Sequence, residues 1–188
     1  MATTPRAGKN SRERILDAAS EIVAEVGAGR LTLDAVAQRA SLSKGGLLYN
    51  FPSKDALLKG MIQRLIDQVL VEKEKLRTSL AGKRNLEARA SVAASLKLHS
   101  AKINDVATGL LAATAENPQL LEPARDVIKV EWRKLTSTAE DKEAAMLAWL
   151  AIEGLSSLEM HNLSPLSARQ RSEVVTAIER LLDKGIAK

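Results

Sequence analysis

The sequence predicts an all-α protein of about nine helices. Three observations predict this fold class. The chain has 188 residues, of which 45% are hydrophobic, enough to fill a sizeable core. Only 2% of the residues are aromatic, so Leu, Ala, Ile and Val must build that core. The 10 glycines and 5 prolines leave long uninterrupted stretches, which favour helices over short strands.

Several functional classes are excluded by what the sequence lacks. It has no cysteine and two histidines, His99 and His161, so we expect neither a metal site nor a cofactor. No nucleophile elbow, phosphate-binding loop or serine-histidine-carboxylate pattern is present, and we therefore expect no enzyme. The N-terminus lacks the apolar run of a signal peptide, and the longest apolar run, 144–152, is too short to cross a bilayer. We expect a cytoplasmic, nucleoid-associated protein.

The positive charge is concentrated towards the N-terminus. The formal net charge is +5, and residues 1–59 contribute nine basic and six acidic side chains to it. This excess suits a polyanionic partner such as nucleic acid. Charge alone is equally compatible with an ordinary solvated surface.

The first three helices are short and bounded by capping and breaking residues. After a basic arm, Asn10 or Ser11 can cap a helix that continues to Val26, and glycines at 27 and 29 end it. Thr32 can cap a second helix, and the turn at 40–43 leads to a third helix, which Ser43 caps. Pro52 prevents its continuation. The pattern predicts an N-terminal unit at 1–52 and a larger unit at 53–188.

The remaining helices follow from apolar residues at helical spacing. Ser53 can cap a long fourth helix that extends to about Leu80. Breaks at Asn117-Pro118 and Ser164-Pro165 separate the later segments. The predicted helices are 85–101, 103–115, 118–137, 140–161 and 167–185.

A helix, a tight turn and a short helix at 32–51 form a helix-turn-helix pattern. In such a motif the N-terminal residues of the second helix enter the major groove of DNA. Here they are Ser43, Lys44, Gly45 and Gly46, where the lysine can bind guanine or phosphate and the glycines allow backbone amides to approach phosphates. We assign Phe51 to the core. For Tyr49 we favour a phosphate contact over a structural role, and Thr32 and Lys54 are similarly placed at helix starts.

The same segments resemble a known family of bacterial repressors. The segment 14–19 (RILDAA), the segment 32–40 and the segment 42–58 (LSKGGLLYNFPSKDALL) together are similar to the DNA-binding domain of the TetR family, over about residues 11–60. The resemblance implies operator contacts at Thr32, Ser43, Lys44, Gly45, Tyr49 and Lys54. It also implies that the larger unit binds a ligand and dimerises. Asn50 stands where members commonly have histidine.

The larger unit offers candidates for an effector pocket and a dimer interface. Polar or aromatic residues that stand out from its aliphatic background are His99, Asn104, Thr108, Trp132, Trp149 and Glu153. Glu153 is the most unusual, because a carboxylate in an apolar helix needs a partner or a shifted pKa. The helix at 140–161 is apolar nearly all round, and with the last helix it predicts a four-helix interface. Its candidate residues are Ala148, Ala151, Ile152, Leu155, Val175, Ile178 and Leu182, although these stripes can also pack within one chain.

The sequence therefore predicts a homodimeric repressor that binds double-stranded operator DNA and is released by a small molecule. A two-fold dimer would place two recognition helices about 34 Å apart on a palindrome. The alternatives are a ligand-independent regulator or an activator, and a helical protein-interaction module. We expect no membrane partner.

Overall fold

The structure, a computed structural model, consists of helices joined by turns and loops over the residues that it describes. It describes residues 10–97 and 101–186. At residues 101–105 it describes the backbone only. This part of the chain contains no strand and nine α-helices, namely α1 (Ser11–Val26), α2 (Leu33–Arg39), α3 (Lys44–Asn50), α4 (Lys54–Ser79), α5 (Leu86–Lys97), α6 (Ala101–Glu116), α7 (Glu122–Thr138), α8 (Lys142–Met160) and α9 (Ala168–Lys184). Two short 3₁₀ helices lie at Ala28–Arg30 and Pro118–Leu121. The predicted fold class is confirmed.

The chain divides into two compact units. The first comprises Met1–Arg64 and Asp105–Pro123, and the second comprises Leu65–Asn104 and Ala124–Lys188. The division falls within α4 and α6, so each of these helices contributes to both units. These two units are defined by their backbone contacts. The predicted boundary at 52–53 separates two functional domains instead, and it stays a prediction.

The first unit is built on α1, which packs against both α2 and α3. The buried face of α1 recurs at helical spacing and includes Ile15, Ala19 and Ile22. Leu47 of α3 is fully buried, and Phe51, at the C-terminal end of α3, is 3% exposed. Burial of these apolar side chains holds the three helices together, and α2 and α3, with seven residues each, are too short to be stable alone.

Two glycines allow close approaches within the first unit. A Cβ atom added at Gly60 of α4 would lie 2.6 Å from Cε1 of Phe51. A Cβ atom added at Gly109 of α6 would lie 2.6 Å from Cγ1 and 3.3 Å from the carbonyl oxygen of Val23. These contacts explain why part of α4 and part of α6 belong to the same unit as α1–α3.

Arg64 also joins α4 to α1 by polar contacts. Its guanidinium donates to Asp17 Oδ1 at 2.8 Å and to the carbonyl oxygen of Leu16 at 2.9 Å. At the other end of this part of α4, Asp55 accepts from Asn117 Nδ2 at 2.8 Å, and Lys59 pairs with Glu122 at 2.7 Å. Polar contacts therefore hold the first part of α4 from both ends.

The second unit is centred on α8, which packs against α5 and α9. Its core contains one cluster of buried residues, Ala88, Val92, Leu135, Ala145, Ala148, Ile152, Leu155, Ile178 and Leu182. A buried Asn85 connects the ends of three helices. Its Nδ2 donates to the carbonyl oxygen of Leu182 at 3.0 Å, and its Oδ1 accepts from the backbone of Asp141 at 3.0 Å. These bonds satisfy an amide that would otherwise be costly to bury.

Candidate nucleic-acid interface

The turn between α2 and α3 is fixed by backbone geometry and by one side chain from α1. Ser41 has φ 53°, in the left-handed region, and the backbone of Leu42 donates to the carbonyl oxygen of Ala37 at 2.9 Å. Arg14 Nη2 donates to the carbonyl oxygens of Ala40 at 2.6 Å and of Ser41 at 3.2 Å. Carbonyls at the C-terminal end of a helix lack helical partners and attract cations. Arg14 therefore sets the direction in which the chain enters α3.

Side-chain caps begin both helices of the motif, as predicted. Thr32 Oγ1 accepts from the backbone of Ala35 at 3.2 Å, and Ser43 Oγ accepts from the backbone of Gly46 at 3.1 Å. Each cap occupies one of the amides that a helix N-terminus leaves without a helical acceptor. The remaining amides and the positive end of the helix dipole can attract an anion such as a phosphate.

The start of α3 is open on its outer side. Lys44 and Gly45 are exposed, and no atom lies within 4 Å of the position that a Cβ atom would take at Gly45. At Gly46 the nearest such atom is Ser43 Oγ, at 3.3 Å. Packing within the chain therefore does not require glycine at position 45, and the open space suits the close approach of another molecule.

The chain's one tyrosine and one phenylalanine have opposite environments. Phe51 is buried, which confirms its assignment to the core. Tyr49 is 91% exposed, so its aromatic ring contributes almost no burial to the fold. Asn50 donates from Nδ2 to the carbonyl oxygen of Gly46 at 2.9 Å. Its amide therefore bonds within α3.

Three basic side chains in or next to the helix-turn-helix have partners within the chain. Lys44 Nζ lies 2.9 Å from Asp34 Oδ1, and Lys54 Nζ donates to the carbonyl oxygen of Gly29 at 3.0 Å. Arg39 donates two hydrogen bonds to Glu25, each 2.9 Å long, and these lower the pKa of that carboxyl. Sequence reasoning did not anticipate the roles of Arg14 and Asp34, because their partners are 26 and 10 residues away along the chain.

Comparison with known proteins decides the family. Residues 15–61 match the profile described as "Bacterial regulatory proteins, tetR family". Residues 86–183, more than half of the chain, match the profile described as "Tetracyclin repressor-like, C-terminal domain". The chain belongs to the TetR family. Members of this family are DNA-binding transcriptional regulators and not enzymes. A search of the curated proteins finds no significant match.

Solved structures with the same fold align over nearly the whole chain. A transcriptional regulator from Streptomyces coelicolor A3(2) is 23% identical with a TM-score of 0.72, and the alignment covers 93% of this chain and 99% of that one. The multidrug binding protein EbrR, solved with imidazole, is 17% identical with a TM-score of 0.69, covering 96% and 98%. NalD of Pseudomonas aeruginosa, the secondary repressor of the MexAB-OprM multidrug efflux pump, is 18% identical with a TM-score of 0.63, covering 94% and 97%.

The candidate pocket residues of this TetR-family chain fall into two groups. Trp132 of α7 and Trp149 of α8 meet edge to face, with ring centroids 5.3 Å apart and an interplanar angle of 63°. Glu153 lies one turn after Trp149, and its Oε1 accepts from Ser95 Oγ of α5 at 3.5 Å. Neighbouring side chains displace water from the Glu153 carboxyl and raise its pKa, although the residue is exposed. The structure therefore brings the two tryptophans into contact and places Glu153 on the same helix as Trp149, one turn away.

The other pocket candidates are not part of that group. Thr108 lies exposed in the first unit, so it belongs to a different compact unit from the two tryptophans. His99 and the side chain of Asn104 lie outside the described residues. Two further absences concern the described part of the chain. No group of three or more His, Cys, Asp or Glu is placed to hold a metal ion there, and none of its helices is long and apolar enough to cross a membrane.

The residues predicted for the dimer interface have mostly intramolecular contacts. Five of them are buried in the core of the second unit: Ala148, Ile152, Leu155, Ile178 and Leu182. Val175 is half-buried against the same core, and Ala151 is exposed. The stripe that α8 leaves uncovered instead contains Leu147, Leu150, Ala151, Gly154 and Leu158. Periodicity identified apolar faces on α8 without distinguishing the one that packs within the chain.

Proposed function

We propose that this TetR-family regulator is a homodimeric repressor that binds a palindromic operator and dissociates when a small-molecule effector binds. The observation that carries the proposal is the exposed side of α3, which has a capped N-terminus and a lysine at its start and an exposed tyrosine near its end. This combination of backbone amides, positive charge and hydroxyl group suits contact with a phosphate backbone and with base edges. A cytoplasmic, nucleoid-associated location follows from this role.

Each DNA-contacting residue has a distinct proposed role. Thr32 and Ser43 present helix N-termini to phosphates, and Gly45 and Gly46 let the backbone of α3 come close. Lys44 binds guanine acceptors or a phosphate, and the Tyr49 hydroxyl donates to a phosphate. Lys54 also binds a phosphate, because its ammonium has three N–H groups and only one of them donates to the carbonyl oxygen of Gly29.

The proposed role of Lys44 predicts a specific loss of DNA binding. We expect Lys44→Ala to weaken binding to a selected duplex by about tenfold, because a charged contact at the interface is lost. Lys129→Ala is the matched control, since Lys129 is an equally exposed lysine that pairs with an aspartate, Asp126, in the second unit. A gel-shift titration at fixed salt, with dimerisation checked by sedimentation, measures both variants. Equal affinities for the two variants would argue against the assignment.

Dimerisation is proposed through the uncovered stripe of α8. Leu147, Ala151, Gly154 and Leu158 recur at intervals of four, three and four residues, which places them on one side of the helix. Small residues in this stripe allow a helix of a second copy to approach closely. Burying the exposed leucines against a two-fold partner would remove their apolar surface from water.

Effector binding is proposed at the aromatic pair. Trp132, Trp149 and Glu153 combine flat apolar surface with one polar group, which is the usual composition of a small-molecule site. A small molecule can release DNA only if it prefers the state that does not bind DNA. We propose that α4 connects the effector site to the recognition helix α3. It is one continuous helix from Lys54 to Ser79 and contributes to both units.

A further inference from the structure

Asp34 forms an exposed ion pair with the lysine of the recognition helix. We propose that Asp34 is a specificity-determining residue, which limits the charge that Lys44 offers to DNA of arbitrary sequence. The proposal rests on the DNA contact proposed for Lys44. It assigns a role to an acidic residue at a surface where positive charge is expected.

The geometry places both charges at the start of a helix. Asp34 is the second residue of α2, and Lys44 is the first residue of α3. Lys44 Nζ lies 2.9 Å from Oδ1 and 3.2 Å from Oδ2 of Asp34. The two side chains remain 61% and 71% exposed, respectively. The pair is therefore formed in solvent, where an approaching polyanion meets both groups.

The other acidic side chains of the first three helices are paired away from α3. Glu21 and Glu25 both bind Arg39, and Glu13 and Asp17 both lie near Arg64. Within Asn10–Lys54, Asp34 is the acidic side chain that pairs with α3. Its position is thus the one at which a negative charge in this segment acts directly on a proposed DNA contact.

The ion pair affects binding to an operator differently from binding to DNA of arbitrary sequence. Exposed ion pairs are weak, so a phosphate can take Lys44 from Asp34. The carboxylate is then left without its cation beside a polyanion, which opposes binding. An ammonium has three N–H groups, so at an operator Lys44 can keep Asp34 and still donate to guanine N7 or O6. In non-specific binding Lys44 meets a phosphate, whose negative charge repels the Asp34 carboxylate, whereas guanine N7 and O6 are neutral acceptors. Asp34 therefore weakens non-specific binding more than it weakens operator binding.

The test compares two duplexes of equal length, one selected by the wild-type protein from a random library and one of unrelated sequence. We expect Asp34→Asn to tighten binding to the unrelated duplex by about fivefold and binding to the selected duplex by about twofold or less. For the unrelated duplex, the slope of log affinity against log salt should steepen by about 0.9, which corresponds to one additional phosphate neutralised. Asp126→Asn is the matched control, because it removes the same charge from another exposed pair, with Lys129.

A double-mutant cycle with Lys44→Gln separates the role of Asp34 from the DNA contact proposed for Lys44. Asp34→Asn should have little effect on either duplex in the Lys44→Gln background, because Asp34 acts through that lysine. An effect of the same size in both backgrounds would overturn the inference. Unchanged affinity of Asp34→Asn for both duplexes would also overturn it, while a loss of operator binding in Lys44→Gln would leave the proposed function standing. Lys44→Gln without any loss would contradict the DNA contact itself. Asp34→Ser, with thermal unfolding as a check, gives a second variant that lacks the charge.

Discussion

Some residues in and next to the recognition helix α3 are buried in the core, and others are exposed to solvent. Leu47 and Phe51 are buried, whereas Lys44, Gly45 and Tyr49 lie on the outer side of α3. The exposed Tyr49 side chain adds almost no buried surface to the fold, so its ring and hydroxyl are free to contact another molecule. The local sequence was sufficient to predict most of this division, because Pro52 ends the helix and the apolar spacing selects its inner face. Leu48 is the exception, since it is apolar but 37% exposed.

Tyr49 provides a test of this division at a single atom. Tyr49→Phe removes the hydroxyl and keeps the ring, so we expect operator affinity to fall about three- to tenfold through the loss of one phosphate hydrogen bond. Thermal stability should remain unchanged, since the side chain is 91% exposed. Fluorescence anisotropy with a labelled selected duplex measures the affinity, and a melting curve measures the stability. Wild-type affinity would show that the hydroxyl does not contact DNA.

Contacts between residues far apart in the sequence could not be predicted from local sequence patterns. Ser43 and Thr32 were predicted as caps because their partners are three residues away. The clamp of Arg14 on Ala40 and the pair of Asp34 with Lys44 depend on how α1, α2 and α3 cross. No local pattern encodes that crossing, so these two roles required the folded structure.

Among the elements, the order of the helices and most of their boundaries followed from capping and breaking signals. Two boundaries differ: α6 begins at Ala101, within the predicted helix 85–101, and residues 118–121 of the predicted helix 118–137 form a 3₁₀ helix. Gly27 has φ 78° at the end of α1, and Asn117 begins the 3₁₀ helix before α7. The close approaches at Gly60 and Gly109 were not predictable, because a helical glycine in sequence gives no indication of which side chain it faces. These contacts nevertheless determine that parts of α4 and α6 belong to the first unit.

The pairing of α7 with α8 gives a direct optical test of effector binding. Trp132 and Trp149 are the only tryptophans of the chain and lie in contact. A panel of small apolar and amphipathic compounds is screened for release of the protein from DNA. We expect each releasing compound to change tryptophan emission, and Glu153→Gln to alter its apparent affinity. Release by a compound that leaves the emission unchanged would place its site elsewhere.

At the scale of the whole molecule, the second unit uses most of its apolar surface internally. Five of the predicted interface residues proved to be core, because α8 is apolar nearly all round and packs against both α5 and α9. Sequence periodicity cannot tell which partner covers such a face. Exposed leucines remain on α8, and we propose them for contact with a second copy.

The uncovered stripe predicts how the dimer can be broken. We expect Leu158→Glu to give a monomer, because it places a charge within a buried apolar interface. Val130→Glu, at an exposed apolar position on α7, serves as the control and should remain dimeric. Sedimentation velocity distinguishes the two states. A dimeric Leu158→Glu variant beside a monomeric Val130→Glu variant would move the interface to another face.

In the proposed function, two copies of this chain read a two-fold operator through α3. Selection of bound fragments from a random duplex library tests it most directly. We predict enrichment of an inverted repeat whose half-sites are about 34 Å apart between centres, or a multiple of that distance. Lys44→Ala should enrich no such sequence. An enriched sequence without two-fold symmetry, or no enrichment by the wild-type protein, would contradict the account.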